Sequence, residues 1–340
     1  MPPTPLCRGD LKAEYGQILA RGRRPIVPEK YLPQIEPLSR WREESRFRWR
    51  IDDPDLCRSL VGKNFSYSKL RDFKSCPFRF FLTRALGMEE PGRESLDLSP
   101  LERGLAYHAV LRTLYDEAQQ LGRSPSDLTM EAPVEEAVER TLARFIADQK
   151  IRKGGAVRES IVSSVTSDIL GYLNFEASDP AKACIGSRVI SELPFAIDLC
   201  QMKRMLPLTG EKYGHLILRG RIDRIDISVP GERGVLDIVV SDYKSSGSSA
   251  EWEQLRLYSL VLLALENPEI PASPETMRAF FRTIRNPGIS KVLEVRPGEG
   301  RMVQQSSRPK CEPTFSEVDG ELCELLDRIF DAREFRRSDQ

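Results

Sequence analysis

The 340-residue chain has no charge excess of either sign: 51 Lys and Arg stand against 51 Asp and Glu. It therefore has no overall attraction for a polyanion, and any nucleic-acid binding must come from local asymmetry. It also has no apolar run long enough to cross a bilayer, and "MPPTPLCRGDLKAEYGQ" lacks the apolar centre of a signal peptide. These absences point to a soluble, cytoplasmic chain with no membrane partner. Its seven cysteines include no CxxC pair, which argues for a reducing compartment and against a disulfide framework. There is no G-x-x-x-x-G-K-[ST] loop; "VGKNFS" has a lone Gly-Lys without the loop or the hydroxyl that phosphate and Mg²⁺ need. Without that loop, the sequence shows no P-loop nucleotide-driven motor.

What is present changes texture along the chain. Residues 1–60 form an Arg/Pro-rich arm containing "SRWREESRFRWR", where Arg42, Arg46, Arg48 and Arg50 interleave with Trp41, Phe47 and Trp49. Guanidinium and aromatic groups together suit a nucleic-acid strand, and equally an edge strand whose aromatics pack while its arginines face water. Residues 61–340 read as one domain. Within it, a helix starts at Ser66 or Ser68 and is interrupted by Pro77, and a helical block occupies about residues 101–185. From residue 188, "RVISELPFAIDL", "HLILRGRIDRIDIS" and "GVLDIVVSDYKSS" read as strands, followed by a helix over 248–267 and a strand at "RAFFRTIRNP". A helix over "FSEVDGELCELLDRIFDAREFRR" closes the chain. Strands meeting helices in this order imply an α/β or α+β core with a mixed sheet.

The chemistry concentrates at strand ends. In "SDYKSS", alternation puts Asp242 and Lys244 on one face and Tyr243 on the other. In "GRIDRID", Asp223 and Asp226 have opposite parity, so one can join Asp242 across the sheet while the other turns away. Two convergent carboxylates and a backbone carbonyl make an oxygen site for Mg²⁺ or Mn²⁺. Lys244 beside them could orient a water or steady charge on phosphorus. Each piece alone more often marks an ordinary ion pair or a solvated strand end than a site. Glu192 in "SELPF" is as readily a plain strand residue as a neighbour of this site, and His215, Asp226, Asp237 and Glu251 read as structural or surface groups.

The ordered set "FSYSKLRDFKSCPFRFFLTRALGM", "RGLAYHAVLRTLY", "GRIDRID", "SDYKSS" and "QLRLYSLVL", over about residues 65–265, resembles the PD-(D/E)xK nuclease superfamily. The likeness is to its RecB-like branch, which includes the AddB-type nuclease domain. It implies a restriction-endonuclease-like fold: a mixed central sheet flanked by helices, with a helical insertion. It implies Asp223, Asp242 and Lys244 as the catalytic set, with the first acid in a G-x-x-D setting rather than a literal Pro-Asp. It further implies His108, Asp223, Asp242 and the Tyr243 carbonyl as ligands of Mg²⁺ or Mn²⁺. Gln254 and Tyr258, four residues apart on one helical face, match a Q-x-x-x-Y that could hold the DNA backbone or support Lys244.

Many RecB-like relatives hold an iron–sulfur cluster with one cysteine near the first motif and three in a C-terminal C-x-x-C…C. Cys76 matches the first, but Cys311 and Cys323 have neither the spacing nor the surroundings of the rest. The expectation is no cluster and a buried Cys76 thiol, with a shortened gene product as the competing explanation. Functionally, the resemblance implies a metal-dependent DNase in repair or recombination, an exonuclease on single strands or ends. Its partners would be DNA and a helicase subunit or another repair protein. The alternative is a non-catalytic nuclease-fold subunit that binds DNA or a helicase.

Overall fold

Residues 188–305 supply six of the seven strands of the main sheet. The structure, a computed structural model, describes residues 48–50, 54–88, 98–123, 133–148, 155–178, 188–228, 237–245, 251–270, 274, 276–305, 311–330 and 334–336. The first elements are β1 (Arg48–Arg50), α1 (Pro54–Val61) and β2 (Asn64–Phe65). Helix α2 (Tyr67–Ser75) is capped by Ser66, whose hydroxyl accepts from the Lys69 N–H at 3.2 Å. Pro77 breaks the ladder and opens α3 (Pro77–Phe80), which runs on into a π-helical turn, Phe81–Ala85. The helical block is α4 (Pro100–Gln120), α5 (Pro133–Asp148) and α6 (Gly155–Ser178). A Ser99/Glu102 capping box starts α4, with Pro100 at its first turn.

The strands are β3 (Arg188–Asp198), β4 (Ile217–Ser228), β5 (Asp237–Lys244), β6 (Thr276–Thr283), β7 (Gly288–Arg296) and β8 (Arg301–Gln304). Helix α7 (Pro207–Lys212) lies between β3 and β4, α8 (Trp252–Ala264) between β5 and β6, and α9 (Phe315–Phe330) follows β8. The sheet order is β2-β4-β5-β6-β7-β8, with β3 antiparallel to β4 on its remaining edge. Pairs β2–β4 and β5–β6 are parallel and the rest antiparallel, so the sheet is mixed. One face packs against α8, α2 and α9 around Ile225, Ile238, Val240, Leu260 and Phe281. The other face meets the helical block, whose own core is built on Leu111, Leu114, Leu142, Val165, Ile169 and Tyr172. This is the flanked mixed sheet, with a helical insertion, that the sequence implies. Among the described residues, no helix is long and apolar enough to cross a membrane.

Three details differ from expectation. The closing helix stops at Phe330, and Glu334–Arg336 form β9, which pairs antiparallel with β1 and sets Phe335 opposite Trp49. His215 does not open a strand; it is exposed in the turn before β4. The Cys76 thiol is half-buried rather than buried, because its sulfur caps α3, accepting from the Arg79 N–H at 3.4 Å.

Behind the sheet lies a wholly buried ionic cluster. Glu176 of α6 accepts from Arg224 of β4 (2.7 Å) and Arg282 of β6 (2.8 Å), and from the Tyr115 and Tyr172 hydroxyls at 2.5 and 2.6 Å. Asp226 accepts two bonds from Arg224, at 2.7 and 2.8 Å, and one from Arg282 at 3.3 Å. Two arginines and two carboxylates balance within it, and the lone pairs are used, as a charge in an apolar interior requires. Asp226, which reads from the sequence as a surface or structural acid, is thus a core residue.

Candidate active site

Strands β4 and β5 pair from Ser228–Asp237 as far as Arg224–Ser241, and there the ladder ends. Beyond that point the Tyr243 N–H donates to Asp223 Oδ2 at 2.8 Å, so a side chain takes the place of a strand carbonyl. Asp242 and Lys244 share the α8 face with Ile238 and Val240. Tyr243 turns to the helical block, its ring edge-on to His108 (5.6 Å) and Tyr172 (6.0 Å). Asp223 joins the Asp242 face while Asp226 turns to the buried cluster.

Glu192 explains how β3 reaches the same place. It is opposite Asp223 in the β3–β4 register, between Ser191↔Arg224 and Leu193↔Ile222, and its φ is +53°. A left-handed residue inside a strand costs roughly 1–2 kcal/mol and is kept only where its surroundings demand it. It also swaps the faces of the strand residues after it. Ile190 packs on the α8 side before the kink, whereas Leu193, Phe195 and Ile197 do so after it. β4 changes parity at the same level, from Leu218 and Ile222 to Ile225 and Ile227. The kink delivers Glu192 into the site, where Oε1 lies 2.8 Å from His108 Nδ1 and Oε2 accepts from Arg221 at 3.0 Å. His108 Nδ1 is also 3.4 Å from Asp223 Oδ1. Ligand atoms of His108, Glu192 and Asp223 all lie within 4.8 Å of one another.

On the other side of Asp223, both oxygens of Asp242 are engaged. Gln254 Nε2 donates to Oδ1 at 2.5 Å, and the Lys244 ammonium stands 2.7 Å from Oδ2 and donates to Gln254 Oε1 at 3.0 Å. Tyr258, one turn beyond Gln254, packs its ring on Phe195 (5.7 Å) and Tyr67 (6.5 Å). Gly220 is the glycine of the G-x-x-D, and a Cβ there would stand 2.6 Å from the Phe195 ring. A side chain at that position would push Phe195 into Tyr258. Of the sequence candidates, His108, Asp223, Asp242, Lys244, Gln254 and Tyr258 are brought together. Arg42 and Arg46 lie outside the described residues, and of Arg48 only its strand position is described.

The field of the site is that of crowded acids. Burial first, and the Asp242 charge second, push the Asp223 carboxyl well above the ordinary carboxylate range. Burial alone would lower the His108 pKa, but Asp223, Glu192 and Asp242 outweigh it and lift it to about 9. Burial would raise Glu192, but His108 and Arg221 more than offset it and hold its carboxyl below the usual range. Burial and the Asp242 and Asp223 charges push the Tyr258 hydroxyl upward, so it stays protonated at neutral pH.

A family model described as the PD-(D/E)XK nuclease superfamily matches residues 64–340. The chain belongs to that superfamily. Its RecB-like, AddB-type resemblance is met by curated relatives as well, each named as a subunit of an ATP-dependent helicase/deoxyribonuclease. It is 28% identical over 268 residues to the subunit from Moorella thermoacetica, covering 72% of this chain and 22% of that protein. It is 27% identical over 271 residues to the one from Symbiobacterium thermophilum, covering 74% and 22%. With the Bacillus licheniformis subunit it is 30% identical over 229 residues, covering 64% of this chain and 18% of the relative. The chain thus spans about a fifth of the length of the relatives it matches.

PD-(D/E)XK nucleases use divalent metals, and the residues of this superfamily member fit such an ion. An imidazole and carboxylates converge, and a cation would offset the burial and the Asp242 charge that push the Asp223 carboxyl upward. The ion would compete with the His108 proton. At pH 7, below the His108 pKa of about 9, Mn²⁺ binding is expected to expel at least about one proton per ion, with affinity rising as pH approaches that value. Isothermal titration in two buffers of different ionisation heat measures this; no release at pH 7 would place the ion away from His108.

Proposed function

We propose that this chain is a Mg²⁺- or Mn²⁺-dependent deoxyribonuclease that hydrolyses phosphodiesters, acting on single strands or ends in DNA repair or recombination. The observation that carries this reading is the convergence of side chains at the β4–β5 splay. There Asp223, His108 and Glu192 cluster beside Asp242, while Lys244 is held between Asp242 and Gln254. His108, Asp223 and Glu192, with Asp242 and the Tyr243 carbonyl, would hold the ion, which when bound polarises the phosphate and lowers the pKa of an attacking water. Gln254 and Asp242 fix the Lys244 ammonium, so that it can orient that water or meet charge developing on the phosphate. Arg221, more than half exposed at the rim, holds Glu192 by one bond and leaves the rest of its fork to meet a phosphate.

The relatives named helicase/deoxyribonuclease subunits support a helicase partner for the whole assembly. Residues 1–60 are read as an arm on the nuclease domain of 61–340, with Arg42, Arg46 and Arg48 adding phosphate contacts. The test is cleavage of end-labelled single-stranded DNA, duplex DNA and RNA with and without Mg²⁺ or Mn²⁺. DNA cutting only with metal, lost in Asp223→Asn, is expected. Tight metal binding with no hydrolysis of any substrate would leave a binding subunit with a nuclease fold.

A further inference from the structure

Helix α4 carries more than His108 past the site. At 100° per residue, Leu101, Leu105, His108 and Arg112 fall within about 60° of one another, in a line about 16 Å long. Most buried residues of α4, among them Ala106, Tyr107, Val110 and Leu114, face elsewhere, while the buried Tyr115 borders the stripe about 20° from His108. Leu101 is 73% exposed and Leu105 45%, in a chain that buries its other α4 leucines at 111 and 114. Single exposed leucines are ordinary. Two in register with a candidate metal ligand, one and two turns before it, are not scattered. Beyond His108, Arg112 makes an exposed contact of 3.5 Å with Asp116, a weak tie that a phosphate could replace.

We propose that this stripe is a docking track for single-stranded DNA. It rests on the nuclease reading and deepens it by naming the surface that carries the single strand to the site. The order of chemistry along α4 is apolar, ligand, cation. A nucleotide chain offers the matching order of base face, scissile phosphate and next phosphate. Unpaired bases lay their apolar faces on Leu101 and Leu105 while the reacting phosphate sits at His108 and its neighbour at Arg112. In a duplex those faces are stacked inside the helix, and the leucines gain nothing from it.

The test measures binding of a dye-labelled oligothymidylate and of a hairpin duplex to the full chain, with Ca²⁺ as the divalent ion and gels showing the DNA intact. The double variant Leu101→Ser/Leu105→Ser is expected to bind the single strand about tenfold more weakly, with duplex affinity unchanged. Arg112→Gln is expected to flatten the salt dependence of single-strand binding by about 0.7 in log–log slope. Unchanged single-strand affinity in the leucine variant, or equal loss for both DNA forms, overturns the track; the first result would leave the leucines to a protein partner. If wild type binds neither DNA, the nuclease reading falls with it.

Discussion

Truncation of Lys244 to alanine is expected to slow DNA cleavage by roughly a hundred- to a thousandfold, the usual cost of losing one preorganised charge donor at a reacting centre. The ammonium is fixed by Asp242 at 2.7 Å and Gln254 at 3.0 Å, and it lies over the Phe281 ring at 5.1 Å. It therefore needs little reorganisation when charge develops beside it. Gln254 still donates to Asp242 in the variant, so strand binding should stay near wild type and the loss should fall on kcat. Lys244→Arg should rescue little, because a flat five-donor fork does not fit the place of a point charge. Single-turnover cleavage of end-labelled DNA in Mn²⁺ decides the matter. A variant that cuts at the wild-type rate would remove Lys244 from the chemistry.

Glu176→Ala is expected to produce the largest loss of stability, about 3–5 kcal/mol, as removal of one partner from a buried ion pair typically does. Glu176, Arg224 and Arg282 are entirely buried, and alanine would leave two guanidinium groups facing one carboxylate. The tyrosine hydroxyls at residues 115 and 172 would lose their acceptor as well. Urea unfolding followed by circular dichroism gives the difference directly. Glu117→Ala, which breaks an exposed contact of 3.4 Å with Arg140, is the control and should change stability by less than about 1 kcal/mol. Equal losses for the two variants would mean that the buried cluster adds nothing beyond its neighbours' packing.

The strands that carry the acids were legible because apolar runs end in charge. "VLDIVVSDYK" reads as a buried strand whose last residues leave the core, and the G-x-x-D of β4 marks a position where Phe195 needs the space over Gly220. Glu192 was only half legible: its place in "SELPF" fitted a neighbour of the site and a plain strand residue alike, because nothing there announces a left-handed strand residue. Strands β7 and β8 were missed for a related reason. Most β7 side chains are only half-buried, apart from Leu293 and Val295, so their alternation is weak, and Lys291 adds a second left-handed residue. The pairing of β9 depends on β1, nearly 290 residues away in sequence. Of the buried cluster only Asp226 drew a reading, as a structural or surface group; Glu176, Arg224 and Arg282 drew none, since charged side chains are rarely inside unless paired and pairing across three elements leaves no local pattern.

The Glu176 cluster fixes one more property of the molecule. By joining α6 to β4 and β6 at once, it ties the helical layer to the sheet whose strands carry Asp223 and Asp242. Through Tyr115 the same cluster also anchors α4, the helix that carries His108.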